Sequence, residues 1–432
     1  MLRLYPIGLR TPLAIMLFVG FVNETIANNQ DTLLSRVRQL TFEGRRSGEG
    51  YYNSDGSKLI FQSEREAGNP FYQIYTIDFK TGHTVRVSPG FGKTTCAFFH
   101  PSGQNVLFAS THHDLRAKAK QKAEIEFRAT GKQRRYSWDY DETMDIFTAD
   151  NNGGNLRQLT TAKGYDAEAG FSPNGKKIVF SSTRSAYVND LTEEEEKLRD
   201  IDLSYFGEIY IMNADGSDQV RLTQSPGYDG GPFFSPNGQR IVWRRFNKSG
   251  SVAEIHTMKL DGSDVRKITS FKSMSWAPYF HPSGEYIIFA SNKLGFSNFE
   301  LYLVDSLGLC EPIRVTERVG FDGLPVFSPN GLQLCWTSNA TSEKQSQLFL
   351  AKWNHQAALS ILSRSPKREI ELDKRSSIVL KDNIKKHVEF LASDKLEGRR
   401  TGSEGIRKAA KYIREQLLAS GLKPLGSIDG SY

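Results

Sequence analysis

Short apolar runs, each following a tight-turn signal, recur along most of the chain. Five turn phrases of the type Ser/His-Pro-Ser/Asn-Gly and one degenerate copy end at Gly56, Gly103, Gly175, Gly238, Gly284 and Gly331. Proline presets φ, and glycine accepts the positive φ that closes such a turn. A β-prone apolar run follows each phrase, for example Ile178-Val179-Phe180. Runs this short, bounded by turn signals, predict strands buried on both faces.

The spacing of the phrases predicts the architecture. The closing glycines are separated by 47, 72, 63, 46 and 47 residues. A third strand signal and a closing strand of the type Arg221-Leu222-Thr223 complete each unit, so we expect four strands per unit and six units. Repeats of this length, stacked on their neighbours, predict an all-β fold, a six-bladed β-propeller.

One closing strand is out of place. Gln39-Leu40-Thr41 matches Gln158-Leu159-Thr160, yet it precedes every repeat. We expect it to close the ring by pairing with the last blade, whose own candidate closing strand, Ser360-Ile361-Leu362-Ser363, matches poorly. An added edge strand on the first blade is the alternative.

The repeats from about residue 36 to residue 363 resemble those of the TolB-type propeller family, which occur in periplasmic TolB, in tricorn-like proteases and ahead of several peptidase domains. The resemblance implies the fold. It leaves the function open, because such propellers serve in binding, scaffolding and substrate gating alike.

The N-terminus predicts export. Arg3 and Arg10 precede the apolar stretch 13–19, and small residues ending at Ala27 form a cleavage site. Residues 1–27 are therefore predicted to be a signal peptide, with an uncleaved anchor as the alternative. The mature protein, with its propeller at 28–365, is expected to be periplasmic or secreted and to have no membrane span after cleavage.

Charge and cysteine content exclude several classes of protein. Of the net charge of +7, +5 lies in residues 366–432, so the propeller is nearly neutral and no nucleic-acid partner is expected. Cys96, Cys310 and Cys335 are too few and too scattered for a disulfide framework, and we expect inert thiols. The cluster His112-His113-Asp114 lacks further ligands at suitable spacing, so no metal site is assigned.

The two longest intervals between repeats indicate insertions on adjacent blades. The first spans about 112–140 and contains a charged helical stretch, and the second contains Thr192 and Glu195 in a capping-box pattern. The charged helices fit either a solvated flap or part of a binding face. A mixture of cations, aromatics and carboxylates near the end of the first insertion favours binding, since it is an unusual surface if unpartnered. These candidate binding residues are Arg134, Arg135, Tyr136, Trp138, Asp139 and Asp141.

Acidic residues also recur just before the turn phrases, at Asp166, Asp229 and Asp322. This position leads into the first strand of a blade, which lines the central channel of a propeller. Carboxylates around a channel mouth would bind a cation, a basic group or a peptide N-terminus. Alternatively, each aspartate hydrogen-bonds the turn that it precedes.

The repeats stop after Ser363. A polar linker is predicted at 366–378, followed by two amphipathic helices in 379–432, the second capped by Ser403. The phrases from His387 to Asp394 and from Leu396 to Gly405 resemble the opening of the co-catalytic di-zinc aminopeptidase family. That resemblance implies zinc in a missing peptidase domain. No residue here matches the family's metal ligands or general base, so no catalytic residue, metal ligand or cofactor is assigned to this chain.

Together these features predict an exported propeller that binds a protein or peptide ligand and belongs to a propeller–metallopeptidase fusion. The parent would hydrolyse peptides as a zinc aminopeptidase, while residues 1–432 lack the catalytic centre, so enzymatic activity is left open. The alternative is a TolB-like interaction scaffold of the cell envelope with no enzymatic role.

Overall fold

The computed structural model describes residues 29–132, 140–187, 191–225, 227–369, 371–372 and 377–419. A short helix, α1 (Asn29–Leu33), leads into strand β1 (Leu34–Gln39), which precedes the first complete repeat. Three blades follow, each an antiparallel meander whose first strand is innermost. Their strands are β2 (Ser47–Tyr52), β3 (Lys58–Ser63), β4 (Gln73–Asp78) and β5 (Thr84–Arg86); β6 (Thr94–Phe99), β7 (Asn105–Ser110), β8 (Asp145–Asp150) and β9 (Arg157–Gln158); and β10 (Asp166–Phe171), β11 (Lys177–Ser182), β12 (Glu208–Asn213) and β13 (Val220–Arg221).

Three further blades complete the ring, so the predicted six-bladed propeller is confirmed. The fourth and fifth consist of β14 (Asp229–Phe234), β15 (Arg240–Phe246), β16 (Ala253–Lys259) and β17 (Arg266–Lys267); and β18 (Ser275–Phe280), β19 (Tyr286–Ser291), β20 (Glu300–Asp305) and β21 (Ile313–Arg314). The sixth contains β22 (Asp322–Phe327), β23 (Gln333–Ser338) and β24 (Gln347–Trp353). Its outermost strand is β1, which runs antiparallel to β24. The N-terminal segment therefore closes the ring as predicted.

A repeated hydrogen-bond pair explains why each closing strand ends in threonine or serine. Thr41 donates its hydroxyl to Gln347 at 2.6 Å and accepts the Leu348 amide at 2.9 Å. Thr223 does the same with Glu208 and the Ile209 amide. The equivalent residues of the other four blades are Ser88, Thr160, Thr269 and Thr316. Thr41 thus supplies the sixth copy of this contact from the opposite end of the sequence.

One predicted strand is wrong. Residues Ser360–Ser363 lie in helix α4 (His355–Arg364), not in a closing strand. The Asn354 side chain caps this helix by accepting the Ala357 amide at 3.1 Å, and Ala358 and Leu362 are buried beneath it. Because β1 already occupies the outer edge of the sixth blade, this segment has no open edge to join.

Both insertions form helices at the end of the propeller where the innermost strands begin. Helix α2 (Ala117–Ala129) lies between β7 and β8, and α3 (Glu193–Ile201) lies between β11 and β12, together with two short 3-10 helices at Arg184–Tyr187 and Leu203–Phe206. The predicted capping box of Thr192 and Glu195 is present. In an antiparallel meander, the first strand begins on the same side of the sheet on which the second strand ends. We call this end of the propeller the insertion face.

The segment after α4 lies along the outside of the propeller. The Arg368 amide donates to Leu309 O at 2.9 Å, and its guanidinium donates to Ile268 O at 3.0 Å. Strand β25 (Glu371–Leu372) then pairs with β17 as a fifth strand of the fourth blade. Part of the predicted linker is therefore bound to the fourth and fifth blades.

Two helices follow, α5 (Ser377–Ala392) and α6 (Glu404–Ala419), joined by a 3-10 turn at Asp394–Arg399. Ser403 caps α6 by accepting the Ile406 amide at 3.3 Å, as the sequence predicts. The rings of Phe390 and Tyr412 stack with centroids 4.1 Å apart. Several apolar side chains of this pair remain exposed, namely Ile384, Val388, Ile406 and Ile413.

Candidate binding channel

The six innermost strands surround a central channel that is closed by aromatic side chains. Tyr51 of the first blade reaches Phe233 of the opposite fourth blade, with ring centroids 5.4 Å apart. Phe98 and Tyr279 pack against the same two rings at 5.2–6.3 Å. These four residues, which we call the channel floor, are the fifth residues of their innermost strands, at the end opposite the insertion face. Among the described residues, these rings close the channel at that end.

A bulge at the same position of every innermost strand lines the channel above this floor. The third residue of each strand has φ between 50° and 61°, and the pairing with the next strand shifts there. Such a left-handed conformation is costly for residues other than glycine, so its repetition in every blade marks a fixed feature of the fold. The six residues, which we call the channel ring, are Glu49, Cys96, Glu168, Gly231, Ala277 and Leu324.

The channel ring carries its polar groups on three adjacent blades. Glu168 is buried and pairs with Arg244 at 2.7 Å. It also accepts the Tyr228 hydroxyl at 2.5 Å and the Gly231 amide at 2.7 Å. Burial alone would raise the pKa of Glu168, but Arg244 and these donors outweigh it and hold the pKa below its usual value. Glu168 is therefore a fixed anion on the channel wall.

Glu49 has a different environment. It keeps partial exposure to the channel and accepts the Tyr51 hydroxyl at 3.2 Å. Burial and the nearby Glu168 charge raise the pKa of Glu49 to about 7. Burial likewise raises the pKa of the Cys96 thiol well above its usual value, which leaves that thiol protonated and unreactive at neutral pH. Glu49 is thus a carboxyl group whose charge responds to what enters the channel.

The three aspartates predicted at the channel mouth are the first residues of β10, β14 and β22, and all three are buried. Asp166 pairs with Arg184, and Asp229 forms two hydrogen bonds with Arg245 at 2.7 and 2.8 Å. Asp322 accepts the Trp336 indole N–H at 3.2 Å. Arg245 and Trp336 lie on the second strands of their blades, and Arg184 begins the 3-10 helix that follows the second strand of the third blade. Binding at these residues stays a prediction.

The predicted patch at the end of the first insertion lies mostly outside the described residues. This applies to Arg134, Arg135, Tyr136, Trp138 and Asp139. Asp141 is described, is buried, and forms ion pairs with Lys93 at 2.9 Å and Lys120 at 2.8 Å. These two cations outweigh the effect of burial and lower the pKa of Asp141. Asp141 therefore joins helix α2 to the second blade, and a ligand role for it stays a prediction.

A cleft of about 510 Å³ lies beside this ion pair, lined by residues of the first blade and of both insertions. Tyr140 connects the cleft to the channel, since its ring lies 5.5 Å from that of Tyr228, whose hydroxyl binds Glu168. The aromatic and apolar residues lining the cleft include Phe71, Tyr140, Tyr187 and Leu203. The first insertion and the channel ring are therefore linked through packed side chains.

Large apolar side chains are exposed on the insertion face. Phe296 and Val319 are 83% and 87% exposed, and both lie in loops that topology places on the insertion face. Other exposed apolar residues of the same face are Phe42, Leu115, Ile201 and Leu294. On the opposite face, Leu332 is the most exposed of the large apolar residues that the structure describes. Exposed apolar residues that form a contiguous patch are typical of a surface that binds a partner.

The side chains of the cluster His112-His113-Asp114 contact other residues of the protein. The rings of His112 and His113 pack against Phe147, the second of them edge-on, and Asp114 pairs with Lys120 at 2.8 Å. No group of three His, Cys, Asp or Glu side chains among the described residues is arranged to hold a metal ion. Within the same residues, none of the helices has the length and apolarity that crossing a bilayer requires.

Comparisons with known proteins agree with the architecture. The family model described as the TolB beta propeller domain matches residues 186–371. A TolB homolog of Chlorobium chlorochromatii (strain CaD3) is 26% identical over 124 residues, which are 23% of this chain and 28% of that protein. An uncharacterized protein of Agrobacterium fabrum is 30% identical over 113 residues, 26% of this chain and 32% of that protein. These matches span less than one third of either curated relative.

A solved structure of TolB from Agrobacterium tumefaciens is 19% identical in sequence to this chain. The match covers 71% of this chain and 90% of the solved chain, with a TM-score of 0.48. The repeats, the closure of the ring by β1 and the family match identify the fold of the described residues. They form a TolB-like six-bladed β-propeller of the PD40 repeat type.

Proposed function

We propose that this chain is an exported binding module that captures a protein or peptide ligand on its insertion face. The observation that carries the proposal is the channel, which the channel floor closes at one end in the described residues, together with the exposed apolar side chains of the insertion face. A ligand chain that lies on this face would contact the exposed apolar side chains of the protein and would reach the polar side chains of the channel ring. Apolar contacts supply much of the affinity of protein-recognition sites, and complementary charges contribute specificity.

We further propose that the propeller belongs to a fusion with a zinc aminopeptidase. The support is the motif from His387 to Gly405 together with the amphipathic helices α5 and α6, whose exposed apolar residues would be covered by further structure. No zinc site fits the described residues, so zinc-assisted hydrolysis would depend on other parts of the parent protein. Zinc-dependent release of N-terminal residues by the protein purified from its source would support the fusion.

The alternative is an envelope interaction scaffold without enzymatic role, which the TolB-like fold favours equally. Both proposals assume that a ligand binds on the insertion face. Only the fusion proposal adds a peptidase domain in the parent protein. The scaffold proposal would be supported if the protein purified from its source binds peptides but gains no peptidase activity when zinc is added.

Charged substitution on the insertion face is expected to weaken ligand binding. Peptides enriched on the immobilised protein from a random dodecapeptide display library serve as the probe, and their affinity is measured by fluorescence anisotropy. Phe296→Asp and Val319→Asp should each weaken binding about tenfold or more, because they place a charge where apolar contact is expected.

Leu332→Asp provides the matched control, since Leu332 is exposed on the opposite face. It should leave the affinity within about twofold. Equal losses for Leu332→Asp and Phe296→Asp, or failure to enrich any peptide, would contradict the proposed binding face.

A further inference from the structure

The channel ring is divided into a polar half and an apolar half. The first three blades contribute Glu49, Cys96 and Glu168, whereas the last three contribute Gly231, Ala277 and Leu324. With Glu168 paired to Arg244, the ionised Glu49 carboxylate leaves the centre of the channel with a net negative charge. This arrangement attracts a cation, because the low-dielectric wall strengthens the interaction with any charge that enters.

The same site contains an unused hydrogen-bond donor. Arg244 is only 4% exposed, and its Nη2 donates to Glu168 and to the Tyr228 hydroxyl. Its Nε has no hydrogen-bond partner among the described residues. Its guanidinium lies so close to Gly231 that a β-carbon there would be 2.2 Å from Nη1. Glycine at this ring position therefore lets Arg244 reach the channel, and a buried donor without an acceptor is costly unless a ligand supplies one.

A free peptide N-terminus meets both requirements with adjacent groups. Its ammonium supplies the cation that Glu49 lacks as a partner. Its first carbonyl oxygen is an acceptor for the guanidinium of Arg244, whose Nη1 lies at the ring position of Gly231. A lysine side chain carries the ammonium without a neighbouring carbonyl. The apolar half of the ring, at Ala277 and Leu324, faces this polar half and suits an uncharged first side chain.

We propose that the channel binds the free N-terminus of a peptide, with Glu49 as the acceptor for the ammonium and Arg244 as the donor to the first carbonyl. The inference rests on the proposed function, because it assumes that the ligand of the insertion face is a peptide chain. It adds which end of that chain enters the channel.

Binding should depend on pH in a manner that identifies the ammonium. Glu49 is faced by Tyr51 of its own strand, Cys96 of the second blade, Glu168 of the third and Arg244 of the fourth. Since the pKa of the free Glu49 carboxyl is about 7, affinity is lost as the pH falls through 7 and the carboxyl is protonated. A peptide α-amino group loses its proton near pH 8, so affinity also falls above that pH. A lysine ligand would instead keep its affinity until about pH 10.

The test compares each enriched peptide with its N-acetylated form, by fluorescence anisotropy at pH 7.5 and across pH 5.5–10. Acetylation should weaken binding about 10- to 100-fold, the usual effect of losing a hydrogen-bonded charge. Glu49→Gln should weaken binding of the free peptide to a similar extent. Glu43→Gln is the matched control, because Glu43 lies on the same face with an 81% exposed side chain, and it should change affinity less than about twofold.

Equal affinity of free and acetylated peptides would overturn the proposal without any variant being needed. Unchanged affinity of Glu49→Gln, or affinity that persists to pH 10, would overturn it as well. If acetylation has no effect while Phe296→Asp still weakens binding, only the N-terminus assignment fails. If no peptide is enriched at all, the proposed function fails with it.

Discussion

Removal of the N-terminal strand is expected to abolish cooperative folding of the propeller. A variant that begins at residue 45 loses β1 and Thr41, and with them the outer strand of the sixth blade. Leu33 and Leu34 alone are 0% and 6% exposed, and their burial contributes about 3–6 kcal/mol at 1.5–3 kcal/mol each. Total stabilities of domains lie at about 5–15 kcal/mol, so this loss is a large share. Urea unfolding monitored by circular dichroism measures it.

A variant that begins at residue 29 is the matched control, since it retains α1, β1 and Thr41. We expect it to unfold in a single transition. A propeller starting at residue 45 that unfolds at the same urea concentration would show that β1 does not hold the ring together.

Replacement of Arg244 by methionine is expected to destabilise the protein by about 3–5 kcal/mol. The substitution leaves Glu168 buried without its counter-ion, and the cost of an uncompensated buried charge is of this size. Methionine keeps much of the volume, so the effect reports mainly the charge. The measurement is the free energy of unfolding in urea at pH 7.5.

Arg407→Met is the matched control on the same chain. Arg407 forms an ion pair at 2.9 Å with Glu404, but both side chains are more than half exposed, so its loss should cost less than about 1 kcal/mol. The double variant Arg244→Met with Glu168→Gln should recover most of the stability, because no unpaired charge remains. A loss that is the same with or without Glu168→Gln would argue for lost packing instead of an unpaired charge.

The fold could be predicted from the sequence because its signals are local and repeated. Each turn phrase requires only a few adjacent residues, and the repeated threonine made the displaced strand ending at Thr41 recognisable from a distance of more than 300 residues. The prediction failed at Ser360–Ser363, where a helix stands in place of the last closing strand. Whether this segment forms a strand depends on which part of the chain pairs with the free edge of β24. The N-terminal strand β1 occupies that edge, and residues next to Ser360 in the sequence do not reveal this.

The candidate channel site was harder to predict for the same reason. Asp166, Asp229 and Asp322 were singled out because they stand next to the repeat phrase, and the structure places each beside a hydrogen-bonding partner in its own blade. Glu49 and Glu168 lie two positions further along their strands, and only a bulge common to all six blades places them in the channel ring. Aligning the repeats by position would have shown glutamate in the middle of two apolar strands, which is the available signal. The partnership of Glu168 with Arg244 joins residues 76 positions apart and has no local signature.

The crystal structure of the protein with an enriched peptide tests the central claim most directly. The account predicts that the peptide enters the channel from the insertion face, with its first residue between Glu49 and Arg244 above the rings of Tyr51 and Phe233. A peptide bound to the outer strand edges or to the opposite face, with the channel unchanged, would contradict the account.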